Sequence, residues 1–142
     1  MIFQNKKKFY IIGTNPSDFL DCTIQAFKKI EESELLILSK KFNNEFLKFT
    51  NNKKIIFQED LSKKNNDNLW KKIHEFFQEN YIISHLIDGD PNIDEDGIEE
   101  SNFFESKNIK CQIISGVIKV VNHLNINSNL LTNREKNSSS SF

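Results

Sequence analysis

Residues 81–117 read YIISHLIDGDPNIDEDGIEESNFFESKNIKCQIISGV, and this stretch decides the fold that the sequence predicts. A first apolar run ends at Asp88-Gly89-Asp90-Pro91, and a second one, Cys111–Ile114, ends at Ser115-Gly116. The acidic and helix-like residues between the two runs give the order strand, turn, helix, strand, turn. Because ligands of open α/β sheets bind beyond the carboxyl ends of the strands, we expect both glycine-containing turns at the functional edge.

The rest of the sequence repeats this alternation of strands and helices. Short apolar runs predict three further strands, at Phe9–Ile12, Leu35–Leu38 and Ile55–Phe57. Apolar residues at helical spacing predict two helices, one with the stripe Leu20, Ile24, Phe27 and Ile30, the other with Leu69, Trp70, Ile73, Phe76 and Phe77. Ser17 or Asp18 is the expected N-cap of the first helix. The fold class is therefore α/β, a mostly parallel five-stranded sheet flanked by helices.

Composition and charge exclude several classes of protein. The 142 residues are 37% hydrophobic, include thirteen phenylalanines and carry a formal net charge of −1, which is typical of one folded domain. The lysine-rich stretches are offset by acidic ones, so no positive stripe for nucleic acid is expected. Neither a bilayer-spanning run nor a signal peptide is evident. We expect a cytoplasmic protein that binds no nucleic acid and no membrane, with Cys22 and Cys111 as reduced thiols.

The acidic residues and histidines do not form the sequence pattern of a metal site or a hydrolase site. The acidic stretch after Pro91 lacks the alternating ligand spacing and central glycine of a calcium loop, so no metal is expected. His74, His85 and His123 are scattered, without a serine or cysteine nucleophile paired to them in sequence, so no hydrolase site is expected. His85 lies within a predicted strand and is interpreted as a core histidine with satisfied hydrogen bonds.

Two turns offer backbone groups to a ligand, and each has a plainer alternative. The turn Gly13-Thr14-Asn15-Pro16-Ser17-Asp18 could present N–H groups to an anionic or polar ligand, or it could only join a strand to a helix. It lacks the glycines of a dinucleotide site. In Asp88-Gly89-Asp90-Pro91 the glycine allows close backbone approach and an aspartate can accept from hydroxyl or amine groups. The alternative is a tight turn without a ligand.

The order and spacing of these motifs resemble the tetrapyrrole (corrin/porphyrin) methylases, and within them the uroporphyrinogen III C-methyltransferases. The G-x-G-P-G-D loop of that family is similar to the turn that starts at Gly13, and its T-L-K-A to Thr23–Ala26. Its G-G-D-P, G-G-E-E, P-G-[IV]-T and P-L-T-H-R motifs are similar to stretches that follow in the same order here, namely Asp88–Pro91, Gly97–Glu100, Ser115–Ile118 and Leu130–Arg134.

The resemblance implies transfer of methyl groups from S-adenosylmethionine to carbon atoms of a tetrapyrrole such as uroporphyrinogen III, on the route to sirohaem and cobalamin. It implies a cofactor cleft between two α/β domains and a homodimer. The residues implied to bind the cofactor are Gly89, Asp90, Pro91, Gly116 and Val117. Those implied for the substrate-side loop are Gly13, Pro16 and Asp18.

The sequence also departs from the family pattern. Asn15 and Ser17 replace two glycines of the first loop, and Ser39 stands where the family has a likely catalytic aspartate. These changes leave open an alternative, a non-catalytic α/β module for binding or assembly. We expect a tetrapyrrole methylase-like N-terminal α/β domain at 1–134 and a linker or tail at 135–142, with the second domain of the family absent from these residues. We expect the face beside Gly89 and Gly116 to be apolar or mobile, or covered by dimerisation.

Overall fold

The computed structural model describes residues 6–50, 52–63, 66–91 and 95–115. These residues form five strands, which are β1 (Lys8–Thr14), β2 (Leu35–Leu38), β3 (Lys54–Phe57), β4 (Ile82–Asp88) and β5 (Lys110–Ile114). They also form five α-helices, which are α1 (Ile24–Glu32), α2 (Asn44–Phe49), α3 (Gln58–Leu61), α4 (Asn66–Glu75) and α5 (Glu95–Ser106). A short 3₁₀ helix, Phe76–Gln78, follows α4.

The five strands form one sheet in the order β3-β2-β4-β1-β5, and every neighbouring pair is parallel. The strand that comes first in the chain lies between two later ones, since Lys8 of β1 pairs with both Ile82 and Lys110. The predicted five-stranded α/β sheet is confirmed, and among the described residues it is entirely parallel.

Helices cover both faces of the sheet, and each face has its own apolar core. On the first face α1 and α2 contribute Ala26, Ile30 and Phe46 to a core with alternate strand residues such as Ile12. On the second face α4 and α5 contribute side chains that include Leu69, Trp70, Ile73 and Phe104. Strand residues alternate between the two faces because successive side chains point to opposite sides of a sheet.

The first helix begins later than the sequence predicts. Its N-cap is Thr23, whose hydroxyl accepts a hydrogen bond from the Ala26 amide at 3.0 Å, instead of Ser17 or Asp18. The side chains of Asn15 and Asp18 accept bonds from backbone N–H groups two residues further on, and such turns compete with helix formation. The predicted apolar stripe is therefore only partly buried, through Ile30.

Other predicted boundaries differ by a few residues. Strand β1 runs to Thr14, so Gly13 lies inside the strand and not in the turn after it. Helix α3 was not predicted because its four residues are too few to show a periodicity. Apolar residues at helical spacing also predict a helix over 117–124, and this stretch and the predicted tail 135–142 lie outside the described residues. In the part of the chain that the structure describes, no helix has the length and apolarity needed to cross a bilayer.

Candidate functional site

The carboxyl ends of the parallel strands form one edge, and two crevices open there. Strand β2 leads into α2 on the first face, whereas its neighbour β4 leads into α5 on the second face. Strand β1, on the other side of β4, again leads to the first face through α1. Ligands of open α/β sheets bind where neighbouring strands diverge to opposite faces, so both sides of β4 are candidate positions.

Gly89 forms the turn at the end of β4 in a conformation that favours glycine. Its φ angle is 99°, and its amide donates a hydrogen bond to the Thr14 carbonyl at 3.0 Å. The Thr14 hydroxyl in turn donates to the Ile87 carbonyl at 2.8 Å. These bonds join the ends of β1 and β4, so the predicted Gly89 turn lies at the edge where the sequence places it.

Asp90 and Pro91 extend this turn towards neighbouring elements. The Ser115 hydroxyl lies 3.4 Å from Oδ1 of the half-buried Asp90, which brings the end of β5 beside the turn. Pro91 is buried against the first turn of α5, where a Cβ atom added to Gly97 would lie 2.6 Å from the Pro91 carbonyl oxygen. Only glycine allows this approach. The contact therefore explains why position 97, in the segment that resembles the G-G-E-E motif, is a glycine.

The predicted substrate-side residues are mostly buried or engaged within the chain. Gly13 pairs with Ile87 in the sheet and is buried. Pro16 is buried, and its carbonyl accepts a hydrogen bond from the Asn43 amide at 3.0 Å. The Asp18 carboxylate is exposed and accepts from the Leu20 amide. The loop is thus fastened to the start of α2, and it meets the Gly89 turn at Thr14, whose carbonyl accepts a hydrogen bond from the Gly89 amide.

Two of the predicted cofactor residues, Gly116 and Val117, lie outside the described residues. The described chain ends beside them, at Ser115, whose carbonyl accepts a hydrogen bond from the Thr23 hydroxyl at 2.9 Å. Strand β5 therefore leaves the sheet next to the N-terminus of α1. The role of the two residues in cofactor binding stays a prediction.

Ser39, at the end of β2, is hydrogen-bonded to the carboxylate of Glu59, which the sequence does not single out. Its hydroxyl donates to Oε2 of Glu59 in α3 at 2.5 Å, and the Lys40 amide donates to Oε1 at 3.0 Å. Burial raises the pKa of Glu59, but the hydrogen bonds from Ser39 and from backbone amides outweigh it and lower that pKa below its ordinary value. Ser39 thus stands at the position where the family has an aspartate, and the carboxylate of Glu59 lies within hydrogen-bond distance of it.

His85 and Glu100 form a buried pair in the crevice between β2 and β4. Nδ1 of His85 lies 2.6 Å from Oε2 of Glu100, and Nε2 lies 2.8 Å from Oε1 of Gln58. His85 and Glu100 are 5% and 4% exposed. The interpretation of His85 as a core histidine with satisfied hydrogen bonds is confirmed. Its partners come from α5 and from the unpredicted α3, and no spacing in the sequence indicates them.

A cavity of about 190 Å³ lies over this pair, beside the Gly89 turn. Its lining is partly polar and partly aromatic and includes Ser39, Lys41, Gln58, Trp70, His85 and Asp88. Lys41 and Asp88 form an ion pair of 3.4 Å between exposed side chains. Ligand pockets usually measure about 300–1,000 Å³, so the cavity is smaller than a complete cofactor or tetrapyrrole site.

Metal ligation finds no support in the part of the chain that the structure describes, since no three of its His, Cys, Asp or Glu side chains come together as a cluster. Asp94 of the acidic stretch lies outside these residues.

The fold and the arrangement of the Gly89 turn define a class of protein. Residues 8–120 match the sequence pattern of the Tetrapyrrole (Corrin/Porphyrin) Methylases, and the chain belongs to this family. The resemblance that the sequence motifs carry is thereby confirmed.

Solved structures with the same fold include two kinds of methyltransferase. Uroporphyrin-III C-methyltransferase from Thermus thermophilus, complexed with S-adenyl homocysteine, has a TM-score of 0.65 and 17% identity over 80% of this chain and 50% of that one. The cobalamin biosynthetic enzyme cobalt precorrin-4 methyltransferase, CbiF, has a TM-score of 0.65 and 15% identity over 85% of this chain and 50% of that one. The present chain therefore spans about half the length of these proteins. No curated protein sequence matches it.

Proposed function

We propose that this chain supplies the N-terminal half of an S-adenosylmethionine-dependent C-methyltransferase that acts on a tetrapyrrole. The observation that carries the proposal is the Gly89 turn, with its positive φ angle and its tight packing of Pro91 on Gly97 at the carboxyl edge of the sheet. Tight packing of this kind fixes the backbone of the turn. A fixed, glycine-containing turn beside a crevice suits close approach by a cofactor.

Residues of the turn fit the chemistry of the cofactor. S-adenosylmethionine supplies a methyl group on a positively charged sulfur, together with ribose hydroxyls and an ammonium group. The half-buried carboxylate of Asp90 can accept hydrogen bonds from hydroxyl or ammonium groups, and the buried Gly89 places no side chain beside it. Methyl transfer depends above all on holding the methyl group in line with the attacking carbon, so the role we assign to these residues is positioning.

The substrate that we favour is uroporphyrinogen III, on the route to sirohaem or cobalamin. This choice is supported by the motif order of the sequence and by the fold shared with uroporphyrin-III C-methyltransferase and cobalt precorrin-4 methyltransferase. Because the cavity is small, we propose further that a second domain completes the cleft. From the resemblance to the family, we also propose that the active assembly is a homodimer in the cytoplasm.

Calorimetric titration of the chain with S-adenosylhomocysteine tests the proposal. We expect micromolar binding that Gly89→Val and Asp90→Ala abolish. The matched control is Glu79→Ala, which removes an exposed carboxylate just after the 3₁₀ helix Phe76–Gln78. This variant should bind S-adenosylhomocysteine like the parent. No binding, either to the chain alone or to the chain joined to a second methylase domain, would contradict the proposal.

The second candidate is a non-catalytic module for binding or assembly. It is favoured by the first loop, whose Pro16 and Ser17 carbonyls are both hydrogen-bonded to Asn43 instead of facing a ligand. The discriminating measurement is turnover with labelled S-adenosylmethionine and uroporphyrinogen III after a second domain is supplied. Methyl transfer that Asp90→Ala abolishes would remove this candidate, whereas cofactor binding without transfer would favour it.

A further inference from the structure

Another cavity opens at the amino-terminal edge of the sheet, and we propose that it binds a phosphate group. This cavity, called the amino-edge cavity below, has a volume of about 230 Å³. Its lining includes Lys7 and Ile109, which immediately precede strands β1 and β5. In a parallel sheet this edge is opposite the one that carries the Gly89 turn, so the inference is independent of the proposed function.

Two helices end beside the amino-edge cavity and supply most of its lining. Helix α4 contributes His74 and Glu75, and the 3₁₀ helix after it contributes Gln78. Lys107 directly follows the last residue of α5. Phe77, which is buried, adds an apolar part to the lining. The cavity can therefore hold a charged group together with an apolar one.

The charge of the lining is positive. Among the described residues, Lys7, Lys107 and Glu75 leave one net positive charge in the lining when His74 is neutral. Burial lowers the pKa of His74, the charges of Lys107 and Lys7 lower it further, and Glu75 acts in the opposite direction. The imidazole of His74 therefore lies close enough to both lysines to be affected by their charges. A cavity with this lining favours an anion.

A phosphate group matches this lining better than a singly charged anion. An anion in the cavity would stabilise the imidazolium form of His74, and the described lining would then carry two net positive charges. A phosphate monoester carries about 1.5 to 2 negative charges at pH 7 and has three acceptor oxygens. The two lysines, the imidazolium and the Gln78 amide can all donate hydrogen bonds to such oxygens. Binding is therefore coupled to the uptake of a proton by His74.

Contacts within the chain hold the donors at the cavity. The Lys107 ammonium lies 5.5 Å from the centre of the Phe103 ring, and the His74 ring meets the same ring edge-on with the two centres 6.5 Å apart. The Lys7 carbonyl accepts a hydrogen bond from the Lys110 amide, which fixes the backbone of Lys7 beside the start of β5. The positive groups therefore converge on the cavity from three separate elements.

The alternative is that these cations only compensate the helix ends, since positive side chains are favourable near helix C-termini. The last carbonyls of α5, however, accept hydrogen bonds from the backbone. The Phe104 carbonyl accepts from the Lys107 and Ile109 amides, and the Glu105 carbonyl accepts from the Asn108 amide. The ammonium group of Lys107 is therefore not required to satisfy these carbonyls.

Titration of the full chain with inorganic phosphate, followed by the NMR signals of His74, tests the proposal. We expect saturable binding and a higher pKa for His74 when phosphate is present, because a bound anion stabilises the imidazolium. Lys7→Gln and Lys107→Gln should each weaken phosphate binding about tenfold. The control is Lys28→Gln, which removes an exposed charge from α1 on the first face and should change the affinity by less than about twofold.

The uptake of a proton has a test of its own. Inorganic phosphate changes its charge near neutral pH, so this test uses sulfate, which stays doubly negative. The affinity for sulfate should rise as pH falls through the pKa of His74, and His74→Gln should remove this rise. Equal losses of phosphate affinity for Lys28→Gln and Lys107→Gln, or a His74 pKa that phosphate leaves unchanged, would overturn the proposal.

Phenyl phosphate distinguishes two sources of the phosphate group. Tighter binding of phenyl phosphate than of inorganic phosphate would support a phosphate ester whose apolar part contacts Phe77 and Ile109. Equal binding of the two probes would support free phosphate as the ligand. Binding of neither probe to the folded chain would overturn the proposal.

Discussion

His85 on β4 and Glu100 on α5 lie with Nδ1 and Oε2 only 2.6 Å apart, and both side chains are almost fully buried. The pair fixes helix α5 to the strand that ends in the Gly89 turn. Since α5 also carries Gly97, which packs on Pro91, the His85–Glu100 contact holds the helix that shapes the turn. The site proposed for the cofactor therefore depends on a polar contact beneath it.

Loss of the Glu100 carboxylate should destabilise the fold. Glu100→Ala leaves the buried Nδ1 of His85 without its acceptor, and an unsatisfied buried donor costs about 1–3 kcal/mol in the free energy of unfolding. Glu100→Gln keeps an acceptor oxygen and should cost less. The measurement is urea unfolding, with the exposed neighbour Glu99→Ala as control. A similar loss for Glu99→Ala and Glu100→Ala would contradict the role of the pair.

Gly97→Ala should destabilise the chain although alanine is normally the better helix former. In an open helical position this change would add about 1 kcal/mol of stability. Here the new Cβ would lie 2.6 Å from the Pro91 carbonyl oxygen, so the helix or the Gly89 turn must move. We expect a lower free energy of unfolding in urea and weaker S-adenosylhomocysteine binding. The exposed Asn102→Ala in the same helix serves as control, and a stabilised Gly97→Ala variant would show that residue 97 has room for a Cβ atom beside the Pro91 carbonyl.

The bond between Ser39 and Glu59 should make stability depend on pH. Because hydrogen bonds lower the pKa of Glu59 in the folded chain, its stabilising contribution is present above the unfolded pKa and is lost as pH falls through the folded pKa. Ser39→Ala should therefore lower the free energy of unfolding at about pH 7, and the difference from the parent should shrink towards about pH 3. Carbon-detected NMR titration should also show a higher pKa for Glu59 in Ser39→Ala. An unchanged Glu59 pKa would contradict this prediction.

Both described cysteines should react slowly with thiol reagents at neutral pH. Burial raises the pKa of Cys22 to about 11 and that of Cys111 to about 12, above the usual value near 8.5 for a free thiol. The thiolate is the reactive form, so labelling rates should rise about tenfold per pH unit through about pH 9. Rates measured on Cys22→Ser and Cys111→Ser separate the two sites. A labelling rate that levels off near pH 8.5 would mean that burial does not raise the pKa of the thiol.

The parts of the fold that follow from local pattern were predictable from the sequence. Fully buried strands such as Leu35–Leu38 are indicated by a continuous apolar run, and the turn after β4 is indicated by a glycine between two acidic residues. The start of α1 was not predictable in this way. An apolar stripe extends from Leu20, but hydrogen bonds that backbone N–H groups donate to the side chains of Asn15 and Asp18 keep these residues in turns before Thr23.

The candidate site was only half predictable, for a different physical reason. Gly89 and its neighbours belong to one short segment, so a motif describes them. The partners of His85 come from α3 and α5, and Glu59 reaches Ser39 from twenty positions along the chain. Such contacts depend on how elements pack, and no periodicity or spacing carries that information.

The position of β1 between β4 and β5 bears on how the chain is made. Lys8 pairs with Ile82 on one side and with Lys110 on the other, so β1 gains its two neighbours only after the later strands β4 and β5 have been synthesised. Pairings between such distant segments form slowly, because closing a long loop costs conformational entropy before any contact stabilises the pair. Until then the apolar residues Phe9–Ile12 emerge without a partner strand. A nascent chain of this protein therefore leaves these apolar strand residues open to aggregation until the centre of its sheet is complete.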